Sequence, residues 1–314
     1  MSQGKPVYGG QAVVEGVMLG GKKNTVTAIR RKDGSIDYYH IPRKPNKLLS
    51  SLKKVPFLRG IAAIIDASAT GSKHLNFSSE RYDLDPSEDE QLVQEVAPSK
   101  LGIIFSVAVI GVLSFLFSKF LFTLIPVFLA NLTRPIFSSD FAQIFIESVF
   151  KLLLLLLYIY FVSLTPIIKR VFQYHGAEHK VINAYENGAE LTIENVQTQS
   201  RLHYRCGSSF ILFTVIVGFF VYMLVPTDPL WVRVVNRLAL IPVVLGISFE
   251  VLQLTNKARH IPVLKWLGYP GLWLQLLTTK EPKDDQVEVA ILSFNRLLEL
   301  ENEKKTGLDG EKIV

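Results

Sequence analysis

Apolar positions in this chain gather into a few long runs separated by polar, charge-rich segments. Residues 101–130, 146–168, 208–225 and 238–254 each lie near the ~20 consecutive apolar residues that a tilted helix needs to cross a hydrocarbon layer, which predicts four membrane spans. The first run is long for one span and the last is short. Residues 1–82 carry shorter patterns. VTAIRR and SIDYYHI flank the turn residues Asp33 and Gly34, which predicts a β-hairpin. The preceding GGQAVVEGVMLGG predicts a strand bracketed by glycine turns. FLRGIAAIIDASATGSKHL has helical periodicity, with Phe57, Ile61, Ile64, Ile65 and Ala69 as an apolar stripe that either packs on the hairpin or docks at a membrane surface. Residues 83–100 are an acidic, proline-bounded linker, read as a solvated spacer. In residues 255–314, Trp266, Tyr269 and Trp273 mark a segment suited to the lipid interface, and Asp284 and Asp285 start an amphipathic helix. The expected fold class is an α-helical integral membrane protein with a small α+β cytoplasmic N-terminal domain.

Charge then orients the spans. Fifteen Lys and Arg precede residue 101, five lie in 169–207 and nine follow residue 254, whereas 131–143 and 226–237 hold only Arg134, Arg233 and Arg237. Basic residues concentrate on the cytoplasmic side of membrane proteins, so both termini and the 169–207 loop are expected in the cytoplasm of a cell with this chain in its plasma membrane. The chain opens on a glycine-rich polar stretch without an apolar signal core, which agrees. A formal net charge of +6 is thus accounted for by flanks facing anionic membrane lipids. The basic clusters lack interleaved stacking aromatics, and no nucleic-acid partner is expected. One cysteine, Cys206, excludes an intrachain disulfide and fits a reducing compartment. Inside or beside the apolar runs stand Lys119, Glu147, Lys151 and Glu250. Such groups are costly there unless paired or functional. Glu147 and Lys151 are spaced i, i+4 and are expected to pair; Lys119 is expected to snorkel to the outer interface.

The most specific chemistry sits in the 169–207 loop. HGAEH at 175–179 places His175 and His179 on one helical face with Glu178 beside them. The pattern H-x-x-E-H is the inverted zinc-hydrolase motif, in which two imidazoles hold the ion and the carboxylate is a general base toward water. HYRC at 203–206 adds His203 and Cys206, so four of the chain's seven His and Cys residues fall within 32 positions. A divalent metal, zinc above all, takes three or four such N, S or O donors. With all four protein ligands the site is closed and structural; with three it is open and catalytic. Glu250 is a further candidate ligand from the fourth span.

GGQAVVEGVML, YHGAEHKVINAYENG with SRLHYRCGSSF, and PGLWLQLLTTKEPKDDQVEVAI together resemble the bacterial YqhQ family, over nearly the whole chain. That resemblance implies a membrane protein of a family labelled a predicted metal-dependent enzyme. His175, Glu178, His179, His203, Arg205, Cys206 and Glu250 all fall in the shared segments.

Three functions follow as expectations. The first is a membrane-embedded metal-dependent hydrolase acting on a lipid or membrane-proximal substrate, with Glu178 as base and Arg205 neutralising an anionic substrate or transition state. The second is a non-catalytic scaffold or assembly factor in which the metal is structural and a protein partner binds the N-terminal domain, the C-terminal helix, or the GGQAVVEGVML and LTTKEPKDDQ segments. The third, an ion pathway, needs a homo-oligomer, since four spans without an inverted repeat make no transporter alone.

Overall fold

The structure is a computed structural model that describes residues 7–44, 47–88, 114, 117–118 and 120–306. The expectations for Lys119, for most of the 101–119 half of the first run and for linker residues 89–100 lie outside the described residues.

Four strands, β1 (Gly9–Val13), β2 (Gly16–Gly20), β3 (Asn24–Arg30) and β4 (Ile36–Pro42), form an antiparallel meander in chain order. The β3–β4 hairpin matches the turn chemistry at Asp33 and Gly34, with Gly34 at φ 87°. GGQAVVEGVMLGG is not one strand but a second hairpin, β1–β2, turning at Val14 and Glu15, the latter at φ 50°. Gly16 at the start of β2 lets β3 come close, since a Cβ there would stand 2.2 Å from the Ala28 carbonyl oxygen.

Period-two alternation divides the sheet into two faces. Val17, Leu19, Val26 and Ala28 join one core with helices α5 (Pro166–Asn187) and α11 (Asp284–Thr306), through Tyr174, Val181, Phe294 and Leu297 among others. Met18 and Ile29 face the other way, onto Phe77 of α2 (Leu58–Arg81). The expected amphipathic C-terminal helix, α11, therefore belongs to the core that packs the N-terminal sheet. Of the two expectations for the α2 stripe, packing on the hairpin falls to other residues of the helix. Its buried positions are Gly60, Ala62, Gly71, His74, Phe77 and Ser78, while Ile65 is 51% exposed. The reason is that two different surfaces claim the two ends of α2: Gly60 clears room for Phe249 of α9 (Ile241–Ala258), and His74 reaches the sheet threonines.

The remaining helices are α1 (Lys47–Leu52), α3 (Ile125–Leu132, entered through a π-turn at Phe120–Leu124), α4 (Asp140–Ser163), α6 (Ile193–Gln197), α7 (Gly207–Tyr222), α8 (Leu230–Ala239) and α10 (Tyr269–Thr278). Among the described residues one helix, α4, is long and apolar enough to cross a membrane. A second qualifies if α8 and α9, bent by 51°, count as one span; the apolar helices Phe120–Leu132 and α7 are shorter. The chain is thus mostly helical with a small antiparallel sheet.

Buried charge within the helical part centres on Glu147, which pairs with two arginines that no sequence pattern named. Both Glu147 oxygens accept from Arg233 and Arg237, at 2.8–3.0 Å, and Gln143 Oε1 accepts from Arg233 at 3.1 Å. Both guanidiniums are fully buried, and Arg237 lies over the Tyr222 ring at 4.1 Å.

Candidate functional site

Helix α5 starts after Thr165 with Pro166 in its first turn and stops at Gly188, which takes the left-handed conformation at φ 74°. Between these ends it carries His175 and His179 one turn apart, their ring centroids separated by 4.5 Å. Cys206 is the N-cap residue of α7. One donor atom from each of His175, His179 and Cys206 lies within 4.8 Å of the others. Cys206 Sγ is 3.2 Å from His175 Nε2.

What fixes the rings is backbone. His175 Nδ1 is 2.8 Å from the Thr278 carbonyl oxygen, and His179 Nδ1 is 2.6 Å from that of Arg201. A carbonyl only accepts, so each neutral imidazole carries its proton on Nδ1 and presents the Nε2 lone pair. This orienting bond from the far ring nitrogen accompanies metal-ligating histidines. Two nitrogens and one sulfur within 4.8 Å of one another are a donor set of the kind that an ion of the zinc type takes.

His203 stands beside His179. Its backbone N–H donates to Gln275 Oε1 at 2.8 Å and its carbonyl accepts from Gln275 Nε2 at 2.9 Å. The ring centroid is 5.7 Å from that of His179, and Nε2 is buried without a hydrogen-bond partner, 3.8 Å from Glu186 Oε2. Burial pushes this imidazole down to about 4, assisted by the positive charges near it and opposed by Glu186. For Glu186 itself burial works upward, yet His203 and Arg205 hold its carboxyl down at about 2. Arg205 bonds Glu186 directly and donates to the Tyr8 carbonyl at 3.2 Å.

A cavity of about 430 Å³ opens on this cluster, lined by His175, Glu178, His179, His203, Arg205 and Cys206 with the start of β1 as its far wall. Glu178 is only 5% exposed. Its burial pushes the carboxyl up to about 7, against the lowering pull of His175 and of a hydrogen bond from the Gly10 backbone. Such a group exchanges protons near neutral pH, the range a general base needs.

Of the sequence-based ligand set, His175, His179 and Cys206 bring donor atoms together, and His203 lines the same cavity outside that group. Glu250 stands elsewhere: its carboxylate is bound by Arg59 of α2, at 2.7 Å for Nε, and accepts the Phe57 N–H at 3.1 Å. The two-pronged partner on α2 draws it to the α2–α9 contact and away from the histidines. Sequence reasoning overlooked Glu186, although its spacing of seven from His179 puts it on the same helical face. It also overlooked the Thr278 and Arg201 carbonyls and the Gln275 clamp, for which no local pattern exists. The GGQAVVEGVML segment serves the same helix, because Glu15 in its turn binds Arg170 and accepts from Tyr174 Oη at 3.2 Å. LTTKEPKDDQ is likewise engaged internally, with Arg201 donating to the Thr279 carbonyl at 2.6 Å and Lys180 pairing Glu281 at 3.0 Å.

A helical chain with a four-stranded sheet packed against a His/Cys-lined cavity is the class of protein that these features define. It belongs to the family described as Protein of unknown function (DUF1385), which matches residues 55–300. Uncharacterized protein YqhQ of Bacillus subtilis (strain 168) is 77% identical over 297 residues, covering 94% of this chain and 93% of that protein. No solved structure matches.

Proposed function

We propose that this chain is a metal-dependent hydrolase of the cell membrane, acting at the cytoplasmic interface on a lipid or membrane-proximal substrate. The observation that carries the reading is the gathering of His175, His179 and Cys206 donor atoms within 4.8 Å, with Nδ1 of both imidazoles bonded to backbone carbonyls and the buried Glu178 on the same cavity. His175, His179 and Cys206 would hold a divalent ion of the zinc type, which would supply Lewis acidity there. Glu178 takes the proton of the attacking water, and its raised pKa keeps it a competent acid and base near neutrality. Arg205, with its charge partly balanced by Glu186, meets negative charge developing on the substrate. This reading keeps the expected four-span topology with both termini cytoplasmic, in which the cavity would lie near the headgroups; the length of α4 and the exposed apolar Phe145, Leu153 and Phe161 support a membrane location.

The test is metal content by inductively coupled plasma mass spectrometry on detergent-purified chain, prepared without chelator. We expect about one zinc or other divalent transition ion per chain, lost in His175→Ala/His179→Ala, and a Glu178→Gln variant that keeps the ion and loses turnover on ester or amide substrates. Absence of metal from the wild-type chain sinks the proposal.

A second reading is favoured by one observation, the orphaned His203 Nε2 beside the cluster. As a fourth ligand it would close the site and make it structural, in a scaffold whose loop loosens when the ion is removed. In that case Glu178→Gln leaves function intact and His203→Ala releases the ion.

A further inference from the structure

A second cavity, of about 850 Å³, lies between the β2–β3 turn, the end of β4, α1 and α2. Lys22, Lys23, Arg43, Lys44, Lys53 and Lys73 line it against a single carboxylate, Asp66. Lys53 occupies that carboxylate at 2.6 Å. Five cations are left in one hollow, in a chain whose whole formal net charge is +6. Among the described residues none of the five has an ion-pair partner. A solvated face spreads like charges over a convex surface, where their repulsion is weak. Here three separate segments bring their exposed side chains to one hollow, an arrangement whose repulsion is relieved by a bound anion. One carboxylate ligand would leave most of this charge unbalanced, whereas a phosphate or pyrophosphate group brings two or more charges and several acceptor oxygens for Lys and Arg donors.

The hollow is not isolated from the His/Cys cavity. An intermediate cavity of about 410 Å³ shares Arg43, Lys53, Asp66 and Thr70 with the hollow, and Tyr8, Gly9, Gly10, Gln11 and Arg205 with the His/Cys cavity. At Gly9 this passage has open space. A Cβ at Gly9 would meet nothing within 4 Å, and one at Gly20 would stand 2.6 Å from Arg43 Nη2, so a side chain there would displace the guanidinium.

We propose that the basic hollow binds a phosphate or pyrophosphate group, and that the passage makes it the docking end of a phosphate-bearing substrate whose scissile part lies at Glu178. The anion site stands on the hollow alone; the substrate class rests on the hydrolase reading. The group comes either from a soluble phosphate compound or from a lipid headgroup.

The experiment is isothermal titration calorimetry on the full chain in uncharged detergent, stripped of metal by chelator so that the cluster does not compete for the anion. The probes are inorganic pyrophosphate and dihexanoyl phosphatidic acid, with dihexanoyl phosphatidylcholine as the neutral control. The variant Lys22→Gln/Lys23→Gln/Arg43→Gln/Lys73→Gln changes only exposed side chains, as does the control Lys32→Gln/Lys54→Gln/Lys169→Gln/Lys283→Gln outside the hollow. We expect affinity for an anionic probe to fall at least about tenfold in the first and less than about twofold in the second, the mark of specific charge-assisted contacts. Pyrophosphate binding assigns a soluble phosphate; binding of phosphatidic acid alone assigns a lipid headgroup. Binding of neither probe, or equal loss in both variants, overturns the proposal. Lys73→Glu, a single exposed change on α2, reports the same loss if the quadruple variant fails to fold. If the chain proves metal-free yet binds pyrophosphate through these residues, the anion site stands and the hydrolytic role alone falls.

Discussion

His74 shows at the scale of one residue how burial sets chemistry. It is fully buried, with Nδ1 2.7 Å from Thr27 Oγ1 and Nε2 3.0 Å from Thr25 Oγ1. Burial pushes its pKa from 6.5 down to about 4, and the charges of His40, Arg43 and Lys73 push the same way. The folded state thus holds His74 neutral where the unfolded chain already takes a proton. Its stabilising contribution is complete above pH 6.5 and is lost as pH falls through about 4. At roughly 1.4 kcal/mol per pKa unit the acid loss reaches at most about 3 kcal/mol. Denaturant melts of wild type and His74→Gln between pH 7.5 and 4 should show the mutant losing about 2 kcal/mol less over that range; parallel pH profiles would contradict the assignment. Glu178 is the opposite case, a carboxyl raised by burial. The two histidines of its motif were legible from spacing, but the carbonyls that select their tautomer were not.

Elements meet backbone to backbone where α5 passes the segment after α10. Gly176, between the two histidines, faces the Lys280 carbonyl oxygen so closely that a Cβ would stand 2.2 Å from it. The same segment donates from Lys280 N to the Phe172 carbonyl at 2.8 Å and supplies the Thr278 carbonyl that holds His175. Backbone cannot swing aside as a side chain can. Gly176→Ala should therefore cost about 1–3 kcal/mol of stability and weaken metal loading at once. A thermal melt paired with metal analysis checks both, and a variant with unchanged melting and full loading would refute the close contact. Strand and helix patterns were readable where the backbone makes its own signal, as at Gly34 or at the acidic start of α11. They misled where a turn used Glu15 in place of Gly or Asn, and where the visible isoleucine stripe of α2 was not the face that packing selected.

Across the whole molecule, two clusters tie distant parts of the chain together. The core shared by the sheet, α5 and α11 joins residues near both ends. In the helical part, Glu147 is the single carboxylate between two fully buried guanidiniums. Removing its charge strands both arginines, which for buried pairs costs about 3–5 kcal/mol. Glu147→Gln should accordingly lower the melting temperature in detergent steeply and reduce monodisperse yield on size-exclusion chromatography. A melt within a degree or two of wild type would show that the cluster carries little stability.

Long apolar runs, the β3–β4 hairpin, the i, i+4 histidines and the nearness of His203 and Cys206 in the loop are all set by short-range pattern, because backbone periodicity and local spacing are properties of contiguous residues. The partners of Glu147 and Glu250, the buried face of α2, the role of α11 in the sheet's core and the convergence of lysines from three separate segments on one hollow are not. Each depends on distances between segments far apart in the chain, and those distances exist only once hydrophobic packing has chosen which faces meet.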